Sequence, residues 1–263
     1  MRNSRKVLAV VGAIGLMMAL VPALVSVSSA AAGDASVTIV HGIPSVGSVD
    51  VCANGSTVLV ANVAFKGVAT VAVAPNTYDL TVKAQNATPC TGATLITLNG
   101  AVIASGANLS VVASLTGGSP KLDVFTNDVS SIASGKGRVA VYHAANAGAV
   151  DVLVNGGPGL SNIAPGAVKS ADLATAAYNF DVTATGTTTP VLLNLPGVTV
   201  PAGQLLQVFA VGQPNNVDEQ FQVITNTIAL VVVSPTTTTA APTTTAPPAA
   251  AAPAVNAKPA FTG

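Results

Sequence analysis

The chain has 263 residues with equal numbers of acidic and basic side chains, so its formal net charge is zero. Only 8% of the residues are charged and 3% are aromatic, although half are hydrophobic. This composition excludes a long helical bundle, which needs abundant Glu, Lys, Arg and Leu, and gives no electrostatic basis for binding nucleic acid. Val and Ala separated by Thr, Gly, Ser, Asn and Pro instead predict short β-strands joined by turns.

Residues 1–32 have the three-part layout of a secretory signal peptide. Basic side chains come first, an apolar run follows over 7–25, and small residues continue from there. We expect cleavage between Ala30 and Gly33, which would place the mature chain in the medium or at the cell envelope. The alternative is an uncleaved membrane anchor, because the apolar run is long. No later stretch reaches the roughly 20 apolar residues that span a bilayer, so the mature chain is predicted to have no transmembrane segment.

The next part of the chain repeats itself in the same order with small insertions and deletions. The matched segments are 37–41 with 139–143, 49–51 with 150–152, 54–55 with 155–156, 62–64 with 162–164, Tyr78 with Tyr178, and 125–127 with 224–226. The period of about one hundred residues is typical of an independent β-sandwich domain and too long for a solenoid repeat. We predict a first repeat over 35–130, a linker over 131–137 and a second repeat over 138–234.

Short apolar runs within each repeat alternate with turn signals. Asn54-Gly55 and Asn155-Gly156 are strong signals for tight turns, and no segment has clear helical periodicity. About seven strands per repeat are expected, as in an immunoglobulin-like sandwich. The predicted fold class is therefore all-β, with two tandem immunoglobulin-like β-sandwiches. We expect them to fold as separate units, because each repeat is long enough to bury its own core.

Cys52 and Cys90 are the two cysteines of the chain, and both lie in the first repeat. An even number of cysteines in an exported chain favours a disulfide. That bond would stabilise the first repeat by roughly 4 kcal/mol in the chain-entropy model. The alternative is a shared metal ion, for which neither cysteine has a His or a second Cys nearby in sequence.

The two histidines, His41 and His143, occupy equivalent positions and are followed by equivalent aspartates, Asp50 and Asp151. A His–Asp pair across a hairpin could bind a metal or act in acid–base catalysis. The alternative is a hydrogen bond that ties the imidazole to a carboxylate or to backbone at the strand end. We favour the structural role, because both repeats keep the residues and a single active site need not be doubled.

The last part of the chain, 235–263, is rich in Thr, Pro and Ala. It has too little apolar surface to form a core and is predicted to be a disordered stalk, with a composition typical of O-glycosylated segments. Residues 259–263 resemble an actinobacterial sortase motif of the Leu-Ala-x-Thr-Gly type, with Pro in place of Leu. A full sorting signal would continue into an apolar helix and a basic tail.

The segments shared by the two repeats resemble a bacterial extracellular family known as domain-of-unknown-function family 4397. Its pattern is a strand ending in His, a turn containing Pro, a Val-Asp-Val strand and a turn with Asn or Asp before Gly. In this chain these elements are His41, Pro44, 49–51 and 54–55. The second copy lacks the proline and has Pro165 where the first has Phe65. The resemblance covers about residues 36–230 and implies an exported β-sandwich, without a known activity or catalytic residue.

The sequence contains no nucleophile elbow, phosphate loop or zinc-hydrolase motif. We therefore predict no catalytic residue, no cofactor and no metal site, and a non-enzymatic structural or interaction role among cell-wall or surface components. One alternative is a surface module that binds a small ligand or carbohydrate through loops at one end of a sandwich. The third interpretation is that the protein is a hydrolase. Convergent polar groups in a pocket would favour the ligand-binding module, and a solvent-open His/Asp cluster would favour the hydrolase.

Overall fold

The computed structural model describes residues 31–234, and every regular element in this range is a β-strand. The all-β sandwich prediction is confirmed. The basic and apolar parts of the predicted signal peptide, the stalk over 235–263 and the sortase-like motif lie outside the described residues. Within the described part, no helix is long and apolar enough to cross a membrane.

The first repeat contains eight strands between residues 35 and 126. They are β1 (Ala35–His41), β2 (Val49–Ala53), β3 (Thr57–Val63), β4 (Val68–Val73), β5 (Asn76–Ala84), β6 (Thr94–Ile103), β7 (Asn108–Ser114) and β8 (Lys121–Thr126). They form an inner sheet in the order β4-β1-β7-β8 and an outer sheet in the order β3-β2-β5-β6. Neighbouring strands are antiparallel except for β1 and β7, which are parallel.

The second repeat has the same topology, strand for strand. The remaining elements are β9 (Ile132–Ala133), β10 (Lys136–Ala145), β11 (Val150–Val154), β12 (Gly157–Ile163), β13 (Val168–Ala174), β14 (Ala176–Ala184), β15 (Val191–Val200), β16 (Gln204–Gly212), β17 (Gln222–Ala229) and β18 (Val232–Val233). The inner sheet has the order β13-β10-β16-β17 and the outer sheet β12-β11-β14-β15. Strand β9, within the predicted linker, pairs with β18 at the end of the second repeat.

The strand registers correct one of the sequence matches. Ser110 pairs with Thr38, three residues before His41. Gln207 pairs with Ala140, three residues before His143, so Ser110 and Gln207 are equivalent. Ser110 lies opposite Phe125, and Gln207 lies opposite Asn226. Phe125 therefore corresponds to Asn226, and its predicted match with Ile224 is wrong by two positions.

Strand β2 illustrates how alternation places the polar residues of the fold. Val49, Val51 and Ala53 point into the core of the first repeat, as the period-two pattern predicts. Asp50 and Cys52 lie on the opposite face, yet all five residues of the strand are buried. The second face is buried because β2 lies inside its sheet and because a disulfide and backbone hydrogen bonds cover it.

Each sandwich has its own apolar core, and a third apolar cluster lies between the two inner sheets. The buried members of this inter-repeat cluster are Val40, Val112, Phe125, Ala140, Tyr142, Ala144, Leu205, Phe209, Val211 and Ile224. The two inner sheets therefore bury both of their faces, and the described chain forms four stacked β-layers. Independent folding of each repeat stays a prediction.

A buried polar cluster lies among these apolar residues and fixes how the inner sheets meet. The Gln207 Nε2 atom lies within hydrogen-bonding distance of three oxygens. These are Ser110 Oγ (2.9 Å), Asn127 Oδ1 (3.1 Å) and Tyr142 Oη (3.1 Å). The Tyr142 hydroxyl donates to Asn127 Oδ1 at 2.7 Å, and burial raises the pKa of Tyr142 to about 12. Because Ser110 and Gln207 are equivalent residues, equivalent strands of the two repeats face each other.

One arginine of the second repeat binds the end of the first repeat. The Arg138 guanidinium binds the Asp172 carboxylate through two nitrogens, at 2.7 and 3.0 Å. Its third nitrogen lies 2.9 Å from the Asp128 carboxylate and 2.8 Å from Ser130 Oγ. The Arg138 side chain is only 7% exposed, and its charge-assisted contacts with Asp128 and Ser130 hold the end of the first repeat on the second.

Candidate functional site

The His41 ring closes the loop that follows β1. Its Nε2 lies 2.9 Å from the Gly47 carbonyl oxygen, and its Nδ1 accepts a hydrogen bond from the Ile43 N–H at 3.4 Å. A carbonyl only accepts, so the proton lies on Nε2 and the ring is the neutral tautomer. Burial lowers the pKa of His41, and the backbone hydrogen bond to Gly47 opposes this effect.

His143 makes the same contact in the second repeat. Its Nε2 lies 2.8 Å from the Gly148 carbonyl oxygen. The side chain is fully buried, and its Nδ1 has no hydrogen-bond partner in the described part of the chain. Burial lowers the pKa of His143, while the hydrogen bond to Gly148 and the charge of Asp123 in the first repeat act in the opposite direction.

Each aspartate binds two backbone groups of its outer sheet, one in the edge strand and one in a loop. Asp50 Oδ1 accepts a hydrogen bond from the Asn62 N–H at 2.8 Å, and its Oδ2 accepts one from the Cys90 N–H at 3.0 Å. In the second repeat, the Asp151 carboxylate accepts the equivalent hydrogen bonds from the backbone N–H groups of Asn162 and Gly186, at 2.6 and 2.8 Å. These bonds hold the pKa of Asp151 below its usual value.

The histidine and the aspartate of each repeat therefore bind different loops. Within residues 31–234, no hydrogen bond joins His41 to Asp50 or His143 to Asp151. Each of the four residues instead binds backbone of its own repeat. That this contribution is purely structural stays a prediction.

The predicted disulfide between Cys52 and Cys90 is confirmed, with the two Cα atoms 6.1 Å apart. It joins β2 to the loop between β5 and β6. Leu153 and Gly186 occupy the equivalent positions in the second repeat, as the strand registers and the aspartate contacts establish. The same loop is thus held by an aspartate in both repeats and by a disulfide in the first.

Two tyrosines occupy equivalent corners. The Tyr78 hydroxyl donates to the Ala74 carbonyl at 2.9 Å, and the Tyr178 hydroxyl donates to the Ala174 carbonyl at 3.0 Å. Each ring packs against the core of its own repeat. This arrangement, in which a hydroxyl binds backbone a few residues upstream, resembles the tyrosine corner of sandwich folds.

Loops of the two repeats meet at one end of the molecule, which we call the loop end. Ser45, in the loop after β1, donates its backbone N–H to the Glu219 carboxylate at 3.3 Å, and its hydroxyl binds the same carboxylate. Asn146, in the loop after β10, binds Gln213 at 3.0 Å and lies beside Gly118 of the first repeat. Both histidine loops are therefore part of a surface built from the two repeats together.

A groove of about 630 Å³ lies at the loop end of the second repeat, between the β14–β15 and β16–β17 connections. We call it the loop-end groove. Its lining includes Gln213, Asn215, Asn216, Gln220, Val217 and Phe221. Val217 is 83% exposed at the tip of the longer connection, so the groove combines amide groups with accessible apolar surface.

Sequence reasoning did not identify the loop-end groove. A usable signal was the length of the β16–β17 connection, 213–221, which exceeds the equivalent 115–120 of the first repeat. Its composition was a second signal, because amide side chains are concentrated there. No set of three or more His, Cys, Asp and Glu side chains within residues 31–234 is grouped so as to hold a metal ion.

One family model, described as domain of unknown function (DUF4397), matches residues 35–153. The match covers the first repeat and the linker, and it continues into β11 of the second repeat. It supports the resemblance seen in the sequence without adding an activity. No curated protein matches this chain.

Proposed function

We propose that this chain is a non-enzymatic secreted or cell-envelope protein whose two repeats form one scaffold for contacts with cell-wall or surface components. The observation that carries this proposal is the use of the shared polar residues. The histidines, aspartates and tyrosines common to both repeats all bind backbone of their own repeat. Groups bound in this way stabilise loops, whereas a catalytic group must reach a substrate.

The layered architecture supports a scaffold role. The inter-repeat cluster and its polar groups are buried, so the two sandwiches present their loops in a fixed relation. Loops on a rigid β-framework are common positions for binding residues. The Thr- and Pro-rich stalk predicted from the sequence would extend the scaffold away from the surface that holds it.

Labelling of intact cells tests the location. A membrane-impermeant amine reagent should modify exposed lysines such as Lys66 and Lys121, and the N-terminus of the recovered protein should lie between Ala30 and Gly33. A cytosolic protein that keeps Met1 and escapes the reagent would overturn the proposed location. A cytosolic protein of similar abundance controls for cell lysis.

A stability measurement combined with hydrolase assays tests the non-enzymatic role. His143→Ala should lower the melting temperature, and neither the wild type nor the variant should turn over ester, peptide or glycoside substrates. A turnover that His143→Ala abolishes while the melting temperature stays unchanged would overturn the proposal. His41→Ala is the matched control, because it removes the equivalent ring from the first repeat.

A second candidate function is the binding of a small ligand or carbohydrate in the loop-end groove. The supporting observation is the convergence of several amide side chains with Val217 and Phe221 in one concavity. Amides can hydrogen-bond neutral hydroxyl groups while an aromatic ring covers an apolar face. The mature protein should then bind cell-wall saccharides, and Gln220→Ala with Phe221→Ala should abolish binding. Asn194→Ala, on β15 outside the groove lining, is the control, and binding that survives the groove substitutions would exclude this site.

A further inference from the structure

The two sandwiches differ at one open edge, between the edge strands of their inner and outer sheets. In the second repeat, β12 and β13 flank an apolar cleft of about 330 Å³, which we call the edge cleft. Its walls include Val141, Val152, Leu160, Ala171, Leu173 and Phe180. These side chains come from both sheets, so the cleft opens directly into the space between them.

Two positions at this edge have smaller residues in the second repeat, whereas Val60, Val73 and Leu80 are replaced there by the larger Leu160, Leu173 and Phe180. In the first repeat the same edge is filled by Leu59 and Val71, which both pack against the core. The registers place Gly159 and Ala171 at the equivalent positions. Gly159 has no room for a side chain, because a Cβ there would collide with the Val152 carbonyl oxygen.

A second apolar space shares part of its wall with the cleft. A smaller cavity of about 40 Å³ lies between the two sheets of the second repeat. Four side chains line both spaces, and they are Val139, Val141, Val152 and Phe180. An alkyl chain that enters at the edge would therefore meet apolar side chains along its length, whereas a buried polar headgroup would lose its hydrogen bonds.

A positive charge lies at one end of the cleft. Lys169 is on the same face of β13 as Ala171 and Leu173, since alternate residues of a strand share a face. Its Nζ reaches across the edge and donates to the Ser161 carbonyl of β12 at 2.7 Å. The first repeat has Ala69 at this position, so the charge and the cleft occur together in the second repeat.

An opposing charge that acts on Lys169, the Asp151 carboxylate, is already engaged. Asp151 interacts electrostatically with Lys169, but each of its carboxylate oxygens accepts a backbone hydrogen bond. The Lys169 side chain is exposed and holds only a carbonyl oxygen, which an incoming carboxylate can replace with a stronger, charge-assisted contact.

We infer that the edge cleft binds a single-chain anionic amphiphile such as a fatty acid. The alkyl chain lies between the sheets beside Ala171, and the carboxylate pairs with Lys169 at the edge. The cleft volume is at the lower end of the ~300–1,000 Å³ typical of small-molecule sites, which suits one extended chain. This activity goes beyond the proposed scaffold role and does not depend on it.

Calorimetric titration of the mature protein tests the site with three twelve-carbon probes, the two ionic probes below their critical micelle concentrations and the alcohol below its solubility limit. These are dodecanoate, dodecanol and dodecyltrimethylammonium. We expect dodecanoate to bind at one site per chain and at least tenfold more tightly than the neutral and cationic probes. Ala171→Val, which restores the residue of the first repeat, should weaken dodecanoate binding at least tenfold while the melting temperature is unchanged or raised.

Charge variants test the headgroup contact. Lys169→Ala should abolish the preference for dodecanoate over dodecanol, whereas replacement of the exposed Lys136 at the start of β10 by Ala should leave it unchanged. The inference is overturned if dodecanoate does not bind, if folded Ala171→Val binds it as the wild type does, or if Lys169→Ala keeps the preference. Ala171→Leu provides a second, larger filling of the same space and should give the same loss.

Discussion

The two repeats share a strand order and a set of loop contacts, but they stabilise one equivalent loop differently. Asp50 and Asp151 each bind two backbone N–H groups, and the second donor is Cys90 in one repeat and Gly186 in the other. Both donors have positive φ angles, 63° and 79°. The second repeat keeps this geometry without a disulfide, which indicates that the aspartate defines the loop and that the bond to Cys52 reinforces it.

The two repeats contribute residues of different size to the inter-repeat cluster, and packing explains this difference. Val40 and Val112 of the first repeat correspond to Tyr142 and Phe209 of the second. Facing surfaces fill space best when large residues meet small ones. The aromatic pair, stacked with ring centres 4.5 Å apart, comes from one repeat and the valines from the other. Divergence of the second copy is therefore part of how the two copies fit together.

Substitutions that disrupt packing in the inter-repeat cluster should have the largest effect on stability. Phe209 is fully buried in the inter-repeat cluster, so Phe209→Ala should lower the free energy of unfolding by about 3–5 kcal/mol, the range for removal of a buried aromatic ring. Val112→Ala at the equivalent position should cost less, because it removes fewer atoms. Denaturant unfolding measures both variants, and a loss below about 1 kcal/mol for Phe209→Ala would contradict a closed interface.

Removing the disulfide tests the difference in how the two repeats stabilise their equivalent loops. Cys52 and Cys90 are separated by 38 positions, and replacing both with Ala should destabilise the first repeat by up to about 4 kcal/mol in the chain-entropy model. Cys52→Leu with Cys90→Gly installs the residues of the second repeat. This pair should lose less stability, because glycine tolerates the positive φ.

Non-reducing peptide mapping and denaturant unfolding check the two disulfide variants. The wild-type protein should yield one linked peptide containing both cysteines. Equal stability of the Ala/Ala and Leu/Gly variants would contradict the idea that the second repeat has adapted to the lack of a disulfide.

Truncation of the buried histidine should have an intermediate effect. His143→Ala removes a fully buried ring and its hydrogen bond to the Gly148 carbonyl, so a loss of about 1–3 kcal/mol is expected. The effect should appear as a lower melting temperature of the intact chain, and His41→Ala provides the matched comparison in the first repeat. A variant as stable as the wild type would show that the contact contributes nothing.

The pH dependence should be the smallest effect. Burial lowers the pKa of His41 and His143 below 6.5 in the folded state, so the unfolded chain binds protons more readily as the pH falls. Stability is therefore full above about pH 6.5 and declines as the pH drops through the lowered values. Asp151, whose pKa is also lowered, contributes only in a more acidic range.

Unfolding measurements between pH 7.5 and 5 check this dependence, in the interval where histidine titrates. His143→Gln should flatten the decline by removing one of the two titrating groups, and His41→Gln should do the same for the other. An unchanged slope in the double variant would show that other groups cause the decline.

The all-β class and the tight turns were predictable because strand periodicity and turn chemistry are local, whereas the duplication followed from comparing segments of the chain and the disulfide from its two cysteines. Asn54 and Asn155 precede glycine and adopt positive φ angles of 50° and 51°, as a tight turn requires. The histidine–aspartate relation was not predictable in the same way. The expected hairpin is wrong, because the histidine and the aspartate lie in consecutive strands that belong to different sheets, and their spacing in the sequence does not specify which backbone group each side chain will reach.

The sequence by itself determined that this protein is built from two alternating-pattern β repeats, because strand periodicity and turn chemistry are local properties of the chain. Only the tertiary structure decided that the inner sheets pack together, that Gln207 contacts its equivalent Ser110, and that the edge cleft opens beside Ala171. These features depend on volumes and on partners far apart in the sequence. A small residue in a strand has the same local pattern whether its neighbours fill the space or leave it open.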